Sequence, residues 1–268
     1  MLIDSHCHLD AVVFDSDRAE VIKSAQSAGV RAIVIPSVDI NNFSSVRDIA
    51  HQFDGGFYAL GIHPMYVHSS EEGDLEQLAV ILEKALDDPR FVAVGEIGLD
   101  FFVKEIATGA AREKQEYFFN EQLKLARRFE LPVILHVRRS QDIILKYLRR
   151  YEELSGIAHA FNGSEQQADQ FVELGYLLGM GGAMTFERAQ QIRRHAAKYD
   201  LRHYALETDS PDMAPSWLDV KKTPNTPMQI ARIAEVFADL RGQSVAEIQK
   251  QTWENTLNIF PRMKQLIS

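Results

Sequence analysis

The chain is short of several things, and each shortage narrows what it can be. It has a single cysteine, Cys7, in 268 residues, so no internal disulfide holds it, and a reducing cytoplasm is the expected setting. No uninterrupted apolar run approaches the ~18–20 residues that span a bilayer, so no membrane association is expected. Met1-Leu2-Ile3-Asp4 leads straight into a strand-like pattern, with no basic leader and no apolar core of a signal peptide, and secretion is not expected either. Positive charge is in deficit: 29 Lys and Arg face 38 Asp and Glu, a net −9. A protein of that charge is not built to coat itself with nucleic acid, so contact with a polynucleotide would be local. Repeats, low-complexity tracts and linkers are also missing, which leaves one domain over 1–268 and nothing that calls for an obligate protein partner.

What the sequence does have is alternation. Short β-rich runs fall at 2–5, 31–35, 57–62, 91–97, 132–136, 157–160, 176–180 and 203–207. Helix-period segments fill the intervals at 16–28, 41–53, 75–86, 111–129, 140–153, 164–174 and 187–199, and 226–240 and 244–260 close the chain. Strands that alternate with helices predict a parallel sheet, because parallel neighbours need crossover connections. Eight such units in this length predict an α/β fold of the (β/α)8 TIM-barrel type. An open doubly wound sheet is the competitor, but a glycine-rich phosphate loop would usually follow its first strand. Here that strand runs into Asp4-Ser5-His6-Cys7-His8.

In a barrel the reactive groups gather at the carboxyl ends of the strands. Alternate residues of a strand share a face, so His6 and His8 project together as a pincer. The other strand ends carry His63, Glu96, His136, His159, and the pair Glu207 and Asp209. Imidazole with carboxylate suits Zn, Mn, Co or Ni, and the number of such groups exceeds the three protein ligands of a single catalytic zinc. The expectation is two divalent ions bridged by Glu96. One would be held by His6, His8, Glu96 and Asp209, the other by Glu96, His136 and His159. Asp209 is the expected general base, Glu207 a support for ligands, and Arg138 and His63 contacts to a phosphate or an outgoing oxygen.

The remaining polar groups read more plainly. Asp100 is expected to be a turn residue and Cys7 a packed hydrophobe. His51, His68 and His195 are placed on the surface, and His203 at the structural end of the last strand. Trp217, in the loop 212–225, either packs or stacks on a base, and Lys221 and Lys222 are solvated.

Taken together, Asp4-Ser5-His6-Cys7-His8, Gly61-Ile62-His63-Pro64, Gly95-Glu96-Ile97-Gly98-Leu99-Asp100, Leu135-His136-Val137-Arg138, His159-Ala160-Phe161-Asn162-Gly163-Ser164, Leu206-Glu207-Thr208-Asp209-Ser210-Pro211 and Asn255-Thr256-Leu257-Asn258-Ile259-Phe260 resemble the TatD family of metal-dependent deoxyribonucleases, and its YjjV-like bacterial branch in particular. The resemblance covers nearly the whole chain. It implies a metal-dependent hydrolase barrel, two divalent metal ions (Zn, Mn, Mg, Co or Ni), and hydrolysis of phosphodiester bonds in DNA or an oligonucleotide, with exonucleolytic action in view. It also implies His6, His8, Glu96, His136, His159 and Asp209 as ligands. Met65, Ala160, Asn162 and Asp212-Met213 depart from the family pattern around the substrate. Two other classes compete. One is an amidohydrolase for a small amide, lactone or ester, whose metals a carboxylated lysine would often bridge in place of Glu96. The other is a metal-binding protein without catalysis.

Overall fold

The computed structural model describes residues 1–219 and 221–267; Val220, within the 212–225 loop, and Ser268 lie outside the described residues. The strands are β1 (Leu2–Asp4), β2 (Val30–Pro36), β3 (Gly56–Leu60), β4 (Phe91–Asp100), β5 (Val133–Arg138), β6 (Gly156–His159), β7 (Tyr176–Met180) and β8 (Tyr204–Leu206). The helices are α1 (Arg18–Ser27), α2 (Phe43–Ala50), α3 (Glu72–Ala85), α4 (Gly109–Arg128), α5 (Gln141–Leu148), α6 (Glu165–Glu173), α7 (Gln190–Lys198), α8 (Ile230–Arg241) and α9 (Val245–Ile259). The strands form one eight-stranded sheet in sequence order, and every neighbouring pair is parallel. At the seam, Ser5 N–H donates to Leu206 O at 3.0 Å and Asp209 N–H to His6 O at 2.9 Å, and Cys7 bridges Ser210. The (β/α)8 barrel is thereby drawn nearly closed.

Two apolar layers stabilise it. Inside, one phase of each strand packs together: Ile3, Val34, Phe57, Val92, Ile134, Ile157, Leu177 and Ala205. Phe260 and Met263, just beyond α9, are fully buried with this inner group. The outer layer joins the opposite strand phase to the helices. Strands buried on both faces read as unbroken hydrophobic runs, as expected of a parallel sheet.

Local chemistry moves some boundaries. The third helix begins three residues before the expected 75, because Glu71 and Asp74 form a capping box around its first turn. The eighth begins later than the expected 226, since Pro227 opens a short 3-10 turn over Pro227–Gln229 before α8. β4 continues to Asp100, past the expected end at 97. Between Val94 and Ile97 its register slips against β5, where Val94 pairs Val133 and Ile97 pairs Leu135. That leaves one extra residue on β4, a bulge of the kind that re-aims a side chain. The two residues in the bulge are Gly95 and Glu96.

Candidate metal centre

On four strands the inward phase leads to a polar residue at the carboxyl end. Ile134 leads to His136, Ile157 to His159, Phe57 and Ala59 to His63, and Ala205 to Glu207. His6 and His8 lie beyond the hydrogen-bonded part of β1, yet their Nε2 atoms converge to 3.2 Å. Asp209 has φ 54°, a left-handed conformation that Asp tolerates better than most residues, and it meets the same point.

Four donor atoms surround one location. His6 Nε2 is 3.2 Å from Glu96 Oε2 and 3.5 Å from Asp209 Oδ1; His8 Nε2 is 3.5 Å and 3.7 Å from the same two oxygens. Ligands about 2.0–2.2 Å from a tetrahedral ion stand roughly 3.3–3.6 Å apart, so these separations fit a divalent cation. The second Glu96 oxygen turns the other way. Oε1 lies 2.9 Å from His136 Nδ1 and 3.5 Å from His63 Nε2, and those two nitrogens are 3.0 Å apart. One carboxylate therefore serves two groups of imidazoles.

The partition of ligands differs from the sequence expectation. His159 was paired there with His136. Instead its ring stacks on His6 with centroids 3.6 Å apart, and its Nε2 is 3.5 Å from Asp209 Oδ2. The group able to hold a cation with His136 and Glu96 is completed by His63, while His159 groups with His6 and Glu96. His136 and His159, on neighbouring strands, fall in different donor groups, because His159 leans across the barrel mouth toward β1.

Charge explains why the cluster suits cations. Glu96, Asp100 and Glu207 are buried, and Asp209 is nearly so. Burial pushes the Glu96 carboxyl up, but His63 and His6 outweigh it and hold it well below the usual range. Burial also raises Asp209, and His159 and His6 bring it down to about 2. Burial lowers His8, yet Glu96 and Asp209 carry it up to about 9. His159 is raised in the same way against its burial, by Glu207 and Asp209. Carboxylates that drag protons onto buried imidazoles mark a site short of positive charge. His6 and His63 behave otherwise: burial lowers both, His63 to about 4, so these two rings are neutral.

A second tier supports the first. Asp100, expected to be a turn residue, is fully buried, and its Oδ2 is 3.0 Å from His136 Nε2. A carboxylate behind a ligating histidine fixes its ring and its tautomer. The signal available in the sequence was spacing, since Asp100 follows Glu96 by four residues on a strand that had not yet ended. Glu207, expected to support ligands, is buried behind His159, with Oε1 3.0 Å from His159 Nδ1 but out of hydrogen-bond alignment, accepting from Ala160 N–H at 2.6 Å. Arg138 does not reach the donor cluster. It stands half exposed at the rim, 3.9 Å from Asp100 and over the Phe102 ring.

The plainer readings divide. Cys7 is buried, and His51 and His68 are exposed. His195 is not on the surface: it is buried, with Nε2 2.8 Å from Gly163 O and its ring against Phe161. Trp217 packs on the core, donates Nε1–H to Gln229 at 2.9 Å, and is covered by Arg232, so it is no open stacking platform. His203 stands immediately before β8, apart from the donor cluster. No helix among the described residues is long and apolar enough to cross a membrane.

Comparison with known proteins agrees with the site. Residues 3–261 match the family model described as TatD-related DNase. An uncharacterized metal-dependent hydrolase of Escherichia coli K12, YjjV, is 40% identical over 259 residues, covering 96% of this chain and 97% of that protein. Human deoxyribonuclease TATDN3 is 31% identical over 273 residues, covering 99% and 97%. The crystal structure of the E. coli TatD homologue YjjV superposes with a TM-score of 0.90 at 39% identity, over 97% of this chain and 98% of that one. A barrel with a metal-ready cluster at its carboxyl rim, matched along almost its entire length, settles the relationship: the chain belongs to the TatD-related DNase family of metal-dependent hydrolases.

Proposed function

We propose that the protein is a deoxyribonuclease that hydrolyses phosphodiester bonds with two divalent cations, acting at strand ends. The single observation that carries this reading is the division of Glu96, with Oε2 toward His6 and His8 and Oε1 toward His136 and His63. A shared carboxylate between two imidazole groups is the arrangement a bridged pair of ions requires. His6, His8, Glu96 and Asp209 would hold one ion, with His159 beside them, and Glu96, His136 and His63 the other. Bound divalent cations supply Lewis acidity, activating water and neutralising charge on phosphate oxygens.

The protein's own groups do the rest. Asp209 remains ionised at neutral pH, since His159 and His6 overcome its burial, and it can accept the proton that an attacking water releases. Glu207 holds His159 in place. The deoxyribonuclease name carried by TATDN3 supports DNA as the substrate class, and the acidic surface keeps contact local. A reducing compartment, in practice the cytoplasm, suits the one buried thiol. The test incubates metal-loaded protein with end-labelled single-stranded DNA and with a panel of lactones and amides. Release of mononucleotides that stops on chelation is expected. Turnover of lactones alone would move the protein to the amidohydrolase class, and retained metal with no turnover would leave a binding protein.

A further inference from the structure

Consecutive residues of an extended strand point to opposite sides. Arg138 and Arg139, at the end of β5, do not. Their guanidinium carbons lie 4.0 Å and 4.7 Å from the centroid of the same ring, Phe102. The cause is the backbone at Arg139, whose φ of 56° is left-handed and unfavourable for a residue with a Cβ. Strain of this kind gathers at ligand clamps. The supporting loop is built to match: Phe101 N–H donates to Arg138 O at 2.9 Å, and Asp100 Oδ1 accepts from Phe102 N–H at 2.8 Å and Val103 N–H at 3.0 Å. Asp100 also contacts His136 through Oδ2, so the backbone that carries Phe102 and Arg138 is tied to the donor cluster.

The charge of this pair is nearly unmatched. In a chain of net charge −9, the one carboxylate within 4 Å of either guanidinium among the described residues is Asp100, 3.9 Å from Arg138, and Asp100 is already engaged by His136. Neither guanidinium donates a hydrogen bond to a described residue. Phe102 itself is 44% exposed. An open aromatic ring that carries two cations holds them in one place at little entropic cost and leaves their N–H forks free.

We propose that Phe102, Arg138 and Arg139 form a subsite for a second phosphate, the one that neighbours the scissile linkage on one side. The inference rests on the phosphodiester reading and deepens it: the preferred substrate carries at least two phosphates in succession. A guanidinium fork on that ring can grip a phosphate bidentately, a stronger contact than a single exposed lysine makes.

The experiment measures binding and cleavage separately. Dinucleotides whose internal link is a methylphosphonate, uncharged and resistant to hydrolysis, are titrated onto metal-loaded protein with a 5′-phosphate, a 3′-phosphate or neither. One phosphorylated form is expected to bind about ten-fold tighter than the hydroxyl form, in line with a charge-assisted contact. Arg139→Ala should bring that ratio close to one, and Phe102→Leu should lower it while keeping the bulk of the side chain. Equal binding of all three probes would overturn the subsite, as would a preference that survives Arg139→Ala, which would place the terminal phosphate on the cations. Natural dinucleotides are cleaved in parallel. A phosphate preference without cleavage keeps the subsite and removes the nuclease reading; cleavage without the preference does the reverse.

Discussion

Asp100 Oδ2 lies 3.0 Å from His136 Nε2, on the side of the ring away from Glu96, whose Oε1 lies 2.9 Å from His136 Nδ1. His136 is thus held between two carboxylates, and Asp100 is brought down to about 2, its burial outweighed by the His136 hydrogen bond. Asp100→Asn should keep the fold, because an amide oxygen can still accept from Phe102 N–H. It should weaken binding of the ion at His136 about 10–100-fold, the usual cost of losing a carboxylate behind a ligating histidine. Competition of the variant against a metal-sensitive dye reads this directly, and wild-type affinity would remove Asp100 from the site.

Glu96 is the larger loss. Ions that bind the native state and not the unfolded chain stabilise it by about 2.7 kcal/mol at a hundred-fold excess over Kd. Wild-type protein should therefore melt several degrees lower after chelation. Glu96→Ala should show no such difference, since its side chain reaches both groups of imidazoles. Melting curves with and without chelator decide it. A variant still stabilised by metal as strongly as wild type would mean that Glu96 bridges nothing.

Asp4 gives a pH dependence that can be followed on chelated protein. Burial pushes its carboxyl up from 3.8 to about 8, although Thr208 donates to it through both O–H and N–H. The native state therefore keeps a proton there that the unfolded chain releases near its ordinary pKa. Its contribution to stability is fully present below about 3.8 and is lost as pH rises through about 8. Urea unfolding of chelated protein across that window should show stability falling with pH. In Asp4→Asn the fall should be shallower, since the other titrating groups are common to both proteins. Parallel slopes would show that Asp4 is ionised in the native state.

The alternation of strands and helices was legible because the strands are apolar and several helices end at a turn signal, as at Gly29 and Gly55, both at positive φ. The convergence of donors at the carboxyl rim was legible for a related reason: a histidine that ends an apolar run needs a partner. How the donors group was not, because it depends on how far a ring leans across the barrel, and His159 leans onto His6. Asp100 was missed because an aspartate after Gly98-Leu99 looks like a turn, while the bulge at Glu96 lets β4 continue through it. His195 looked solvated on a polar helix; only the position of Gly163 O shows what it serves. Phe102 carries no signal in the sequence, because Arg138 and Arg139 reach its ring only in the fold.

The support of His159 can be tested without touching a ligand. Gly179, on β7, faces Glu207 so closely that an added Cβ would stand 2.3 Å from Oε2 and 2.7 Å from the carboxyl carbon. Glu207 is 1% exposed and its other oxygen is held by Ala160 N–H, so the carboxylate must leave its present position beside His159 to admit the Cβ. Gly179→Ala should therefore keep the barrel, since no positive φ is imposed there, but release His159 and lower metal affinity about ten-fold, within the range for groups that act behind a ligand. Shortening the displaced side chain should relieve the clash: adding Glu207→Asp to Gly179→Ala should recover part of the affinity, whereas Glu207→Asp alone should lose some. Additive losses in the double variant would mean that the clash is absorbed elsewhere and that Glu207 does not position His159.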